Sequence, residues 1–171
     1  MINAEEVLKE IELRPDMTVA DFGCGSGGFT IPLAKKITEG LVYGIDVQSA
    51  PLSALKSRSR FENVVNINLT RGDLEKPKGS TLSDSSVDLV VIINTLFQVE
   101  DKKAVLAEAK RVLKSAGKLL IVDWYSAAEQ GPKTGRITPA FVKKIGEENG
   151  FKLEKEFEAG KYNFGMVLAN P

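Results

Sequence analysis

Histidine is absent from this chain and there is one cysteine, Cys24. Without imidazole there are no histidine triads, histidine general bases or histidine zinc sites, and a lone thiol is too few for a thiolate metal centre, so no metal is expected. A single cysteine also excludes an internal disulfide. The opening residues MINAEEVLKEIEL carry acids where a secretory leader has a basic and then an apolar stretch, so a cytoplasmic location is expected. No apolar run approaches the roughly 20 residues that span a bilayer, which excludes insertion and leaves only peripheral contact open. Net charge is lacking too, since 23 basic and 23 acidic residues cancel. No overall field therefore draws the chain to nucleic acid or to an anionic membrane. The densest basic cluster, Lys56, Arg58 and Arg60, reads as a solvated helix face.

What is present is an ordinary globular composition, 43% hydrophobic and 27% charged over 171 residues, which fits one domain spanning 1–171. A short amphipathic helix carrying Val7, Leu8 and Ile11 precedes an apolar run from Met17 to Phe22 that ends in glycines. A helix over 29–37, with Gly40 as its stop, leads to a strand from Leu41 that Asp46 closes. The unit repeats with a helix through Leu52 and Leu55 and a strand from Val64 to Leu69. Val87 to Ile93 is almost continuously apolar, the pattern of a strand covered on both faces. A helix with Val105, Leu106, Ala109, Val112 and Leu113 inward is broken at 115–117, before a strand from Lys118 to Asp123. Thr138 caps a last helix whose core face holds Phe141, Val142 and Ile145. The runs 151–157 and 162–168 are joined too closely for a parallel crossover. The expected fold class is α/β: a Rossmann-like, doubly wound, mostly parallel seven-stranded sheet with a C-terminal antiparallel hairpin.

Function is written most clearly in Val19 to Thr30, VADFGCGSGGFT. Glycines at 23, 25, 27 and 28 between a strand and a helix let the backbone approach a ligand closely at the helix N-terminus. Gly23, Gly25 and Gly28 also satisfy the dinucleotide pattern, so the glycines alone do not separate a nicotinamide cofactor from S-adenosylmethionine. Asp21 tips the balance, because a carboxylate at the mouth of the loop repels a pyrophosphate and attracts the ammonium group of a methionine moiety. Asp46 stands where a carboxylate can accept both ribose hydroxyls, and Asp73 where one can accept from an adenine amino group. Each acid taken singly also suits a cap or a turn.

With those residues in place, the sequence resembles the class I S-adenosylmethionine-dependent methyltransferases over nearly its whole length. Val19 to Gly27 looks like their first motif, Tyr43 to Asp46 like their ribose-binding acid, and Gly72-Asp73 like their adenine-contacting pair. SVDLVVIIN, Ser86 to Asn94, looks like the fourth strand, and VLKSAGKLLIVD, Val112 to Asp123, like the helix, turn and strand after it. Among subfamilies it is most similar to small-molecule methyltransferases related to quinone-biosynthesis enzymes. Two departures are visible: a shorter segment before the first motif, and Leu96-Phe97-Gln98 where many members carry histidine. Asn94 is not followed by the Pro-Pro-aromatic sequence of amino-methylating DNA enzymes. The resemblance implies S-adenosylmethionine as cofactor, with Asp21, Gly23, Cys24, Gly25, Gly27, Asp46, Val47, Gly72, Asp73, Leu74, Asn94 and Phe97 around it.

Methyl transfer from a sulfonium is an in-line displacement needing alignment and exclusion of water. If the acceptor must lose a proton, Asp123 and Tyr125 are the candidate catalytic residues. Cys24 reads as a packing residue, not a nucleophile. The polar segment 126–137 is long enough to move over the site, where Arg136 meets an anionic acceptor or is simply a surface cation. The acceptor is expected to be a small molecule, with RNA or protein left open, and a second copy or a partner subunit is a candidate cover for the site. Two other functions stay in view. A non-catalytic cofactor-binding module or complex subunit is one; the other is a nicotinamide oxidoreductase, for which Tyr43, Tyr125 and Tyr162 lack the usual Tyr-x-x-x-Lys partner.

Overall fold

In the computed structural model, which describes residues 2–171, β4 (Val87–Ile93) organises the sheet. It pairs in parallel with β1 (Thr18–Phe22) on one side and with β5 (Leu113–Trp124) on the other. Its Val87, Leu89, Val90, Val91 and Ile92 are fully buried, as its near-continuous apolar sequence requires. From β1 the chain steps outward through β2 (Leu41–Asp46) to β3 (Ile67–Arg71), then crosses back to β4. The last strands, β6 (Lys152–Glu158) and β7 (Asn163–Ala169), complete a seven-stranded order β3-β2-β1-β4-β5-β7-β6. Only β7 runs against its neighbours, wedged between β5 and β6. The expected fold class is what the chain adopts.

Helices cover both faces. α4 (Lys102–Val112) and α5 (Pro139–Glu148) pack one face through Val105, Leu106, Ala109, Val142 and Ile145, against Val90, Ile92, Leu119 and Ile121. α1 (Ala4–Leu8) and α2 (Thr30–Lys36) pack the other through Val7, Leu8, Leu33 and Ala34. α3 (Ser49–Phe61) joins α2 through Leu55, which is packed with Ile31 and Cys24. Among the described residues no helix is long and apolar enough to cross a membrane.

Three local expectations are corrected. β3 begins at Ile67 rather than Val64, because Asn63 takes a left-handed φ of 54° and Val64 donates its amide to Ser59, closing α3. β5 begins at Leu113: Val87 pairs with Leu113 and Leu89 with Lys118, so residues 114–117 bulge, with Ala116 at φ 63°. Phe141 is 39% exposed; the buried stripe of α5 is Val142, Ile145 and Gly146. Thr138 caps α5 as expected, its hydroxyl accepting from the Phe141 amide at 3.1 Å.

Candidate active site

The strand order reverses between β1 and β4, and the crevice beyond their carboxyl ends is where open α/β sheets bind ligands. A cavity of about 820 Å³ opens there, reached by Asp21, Gly23, Cys24, Gly25, Asp46, Val47, Gly72, Asp73, Leu74 and Asn94. The glycine turn is hooked to β2 by the Gly23 and Cys24 amides, both donating to the Ile45 carbonyl at 2.8 and 3.0 Å. A Cβ on Gly25 or Gly28 would meet nothing within 4 Å, so the bare backbone of both faces open space in a cavity that both line. The Asp46 carboxylate accepts from Gly25 N and from Gln48 N, each at 2.9 Å, and each oxygen keeps a second lone pair for a ligand hydroxyl. Asp73 accepts from the Glu75 amide at 3.0 Å, so its turn role and a ligand role are compatible.

Asp21 lies beneath the turn, 2% exposed, accepting from the Thr30 hydroxyl at 2.7 Å. Burial raises its pKa to about 7 against that hydrogen bond, and the charge of Asp46 adds to the rise. A buried acid of this kind gains from a cationic ligand group and loses from a phosphate. Together with the open glycines, this donor set fits a sulfonium nucleoside with an ammonium group better than a dinucleotide. Burial, with the Asp21 and Asp46 carboxylates, pushes the Cys24 thiol up, so it packs and does not attack. Gly27 is not a lining residue: a Cβ there would come within 2.3 Å of Leu55 Cδ1, so its bareness admits α3.

The opposite wall differs more from expectation. Asp123 is fully buried and does not line the cavity. It accepts from Trp124 N at 2.8 Å and from Phe97 N at 3.2 Å, holding the 3-10 turn Leu96–Gln98 against the end of β5. Burial raises its pKa to about 6 despite these backbone donors. Tyr125 packs its ring 5.7 Å from that of Phe164, and burial pushes its phenol up. Neither residue is among those that line the cavity. Phe97 also stands outside the lining, while Gln98, Val99 and Trp124 form it. Asn94 is fixed by Asn163, which donates to its Oδ1 at 2.9 Å. Arg136 does not line the cavity and is not a free surface cation: it donates to the carbonyls of Ser126, Ala128, Gln130 and Pro132 in its own loop.

A family model described as a methyltransferase domain matches residues 13–160. The chain belongs to this methyltransferase family. It is 31% identical over 156 residues to the demethylmenaquinone methyltransferase of Lactobacillus johnsonii, covering 90% of this chain and 58% of that protein. It is 31% identical over 160 residues to the ubiquinone/menaquinone biosynthesis C-methyltransferase of Shewanella halifaxensis, covering 92% of this chain and 62% of that one. The chain thus spans less than two thirds of the length of these relatives. A S-adenosylmethionine-dependent methyltransferase from Aquifex aeolicus, 29% identical, superimposes with a TM-score of 0.90 over 99% of this chain and 90% of that one. The resemblance to class I enzymes, and to quinone-biosynthesis types among them, is borne out.

In this methyltransferase-family chain the residues that sequence reasoning missed are neighbours of those it named. Gln48 and Glu75 follow the second and third strand-end acids by two positions, and Thr95 follows Asn94. Thr95 donates its hydroxyl to the Phe22 carbonyl at 3.3 Å, and a Cβ on Gly23 would strike that hydroxyl at 2.3 Å. Widening by two positions from Asp46, Asp73 and Asn94 finds these three. Ile2 reaches the cavity from outside the repeating units, and no spacing signal points to it.

Proposed function

We propose that this chain transfers the methyl group of S-adenosylmethionine to a small-molecule acceptor of quinol-like chemistry. The observation that carries the reading is the Asp46 carboxylate, tied to the Gly25 amide at the mouth of the cavity, with the buried Asp21 beneath the same turn. When bound, S-adenosylmethionine supplies a methyl group on positively charged sulfur. Asp46 would then accept from the ribose hydroxyls, Gly25 and Gly28 would leave room for the methionine portion, and Asp73 with Leu74 would border the adenine. Asp21, in its ionised form, would hold the ammonium end directly or through water. Trp124 and Val99 give the acceptor side an apolar wall that excludes water and aligns the reacting atoms. A cytoplasmic location belongs to the same reading.

Incubation with S-adenosylmethionine and separate pools of quinols, small amines, RNA and protein, reading release of S-adenosylhomocysteine, tests this. Turnover is expected in the quinol pool. Turnover with RNA or protein alone would overturn the small-molecule reading, and binding without turnover in any pool would favour a non-catalytic module.

A further inference from the structure

The segment between β5 and α5 has no helix or strand of its own, and one side chain organises it. The Arg136 guanidinium donates through Nε to the Pro132 carbonyl and through Nη1 to the Ala128 carbonyl, both close contacts. Nη1 also reaches the Ser126 carbonyl at 3.4 Å, and Nη2 the Gln130 carbonyl at 3.0 Å. Only a planar fork with several fixed N–H groups can serve four carbonyls at once; a lysine ammonium is a point charge with three donors.

The loop so folded presses on the cavity wall at two places. At Gly131 the backbone lies on the indole of Trp124, where a Cβ would come within 2.4 Å of Cε3 and 2.5 Å of Cζ3. At Gly135 it lies on the Phe97 carbonyl, 2.0 Å from where a Cβ would stand. Trp124 and Gln98, the neighbour of Phe97, both line the cavity, whereas no residue of 126–137 does. The loop therefore acts on the site through them.

We propose that Arg136 is a positioning residue that folds 126–137 into a buttress, fixing Trp124 and the turn Leu96–Gln98 on the acceptor side of the cavity. The consequence for the acceptor rests on the methyltransferase reading; the contact with Trp124 does not.

Trp124 is the only tryptophan of the chain, so its emission reports on the buttress without interference. In the full chain, Arg136→Lys is expected to shift Trp124 emission to the red and to raise its acrylamide quenching constant about twofold, as local opening exposes the indole. Affinity for S-adenosylhomocysteine stays within about twofold, since Arg136 acts on the other wall. Unchanged emission and quenching in folded Arg136→Lys would overturn the proposal. A tenfold loss of S-adenosylhomocysteine affinity would overturn the acceptor-side assignment. Should Arg136→Lys lose its far-ultraviolet circular dichroism, Gly131→Ala decides: a displaced Trp124 emission supports the buttress and an unchanged one overturns it. A wild-type chain that ignores S-adenosylhomocysteine while its variants show these optical shifts contradicts the methyltransferase reading and leaves the buttress standing.

Discussion

The carboxylate of Asp46 and the amide of Gly25 stand 2.9 Å apart across 21 positions of sequence, so the end of β2 and the turn after β1 form one unit. A ligand held by Asp46 is thereby held against the turn.

Asp46→Ala removes a charged acceptor and frees the Gly25 amide. Cofactor affinity should fall by about 1.5 to 3 kcal/mol, the worth of hydrogen bonds to a charged group. Asp46→Asn, which keeps one carbonyl oxygen, should fall in between. Titration calorimetry with S-adenosylhomocysteine reads both, and an unchanged dissociation constant in Asp46→Ala takes this residue out of the site.

Asp21 and Asp123 make the ligand-free chain sensitive to pH. Both start from an ordinary value of 3.8, and in the folded chain they reach about 7 and about 6. Between those limits the folded state retains protons that the unfolded state has released, so stability decreases as pH rises through the window and levels off above about 7. The thermal midpoint should fall between about pH 5 and pH 7, and less steeply in Asp21→Asn. Affinity for S-adenosylhomocysteine, whose ammonium favours ionised Asp21, should move the other way and rise with pH in the wild type alone. A midpoint slope equal in both proteins would contradict the role given to burial of Asp21.

The frame and the wall of the cavity around the glycine turn were legible because they are local. Alternating apolar runs place the strands, glycines mark the first turn, and an acid at or within two residues of the end of each of β1, β2 and β3 follows from where those strands stop. The opposite wall was not, because it depends on what a side chain meets far along the chain. Asp123 looked available at a strand end, yet it is consumed by the amide of Phe97, 26 positions away. Arg136 looked like a surface charge because carbonyl partners leave no mark in a sequence. Gly27 looked like its neighbours, and only the approach of Leu55 gives it a different task.

That difference is measurable. Gly27 has φ 94° and Leu55 against it, so Gly27→Ala should cost on the order of 2 kcal/mol of stability. Gly25 has φ 52° with open space beyond, so Gly25→Ala should cost about 1 kcal/mol in stability and weaken cofactor binding. Denaturant unfolding and ligand titration on the pair check this; equal effects in both assays would refute the division of labour.

Glu108, 4% exposed, pins the loop before β4 to α4. It accepts from the Ser80 amide at 3.1 Å, the Ser80 hydroxyl at 2.5 Å, and Arg111 at 2.6 and 2.9 Å. Burial alone would raise its pKa, but Arg111 and Ser80 outweigh burial and hold the carboxylate below its usual range. Glu108→Ala removes the buried partner of the Arg111 guanidinium and the acceptor of the buried Ser80 hydroxyl and should cost about 3 kcal/mol. Asp84→Ala, which removes the 71% exposed partner of the same Arg111, should cost less than about 1 kcal/mol. Chemical denaturation of both variants compares the two.

Binding of S-adenosylhomocysteine and of NADH to the wild-type chain, side by side in one calorimeter, tests the central claim most directly. A saturable isotherm with S-adenosylhomocysteine, none with NADH, is the expected result. An isotherm with NADH alone would mean that the acids at the ends of β1 and β2 hold a different nucleotide from the one argued for.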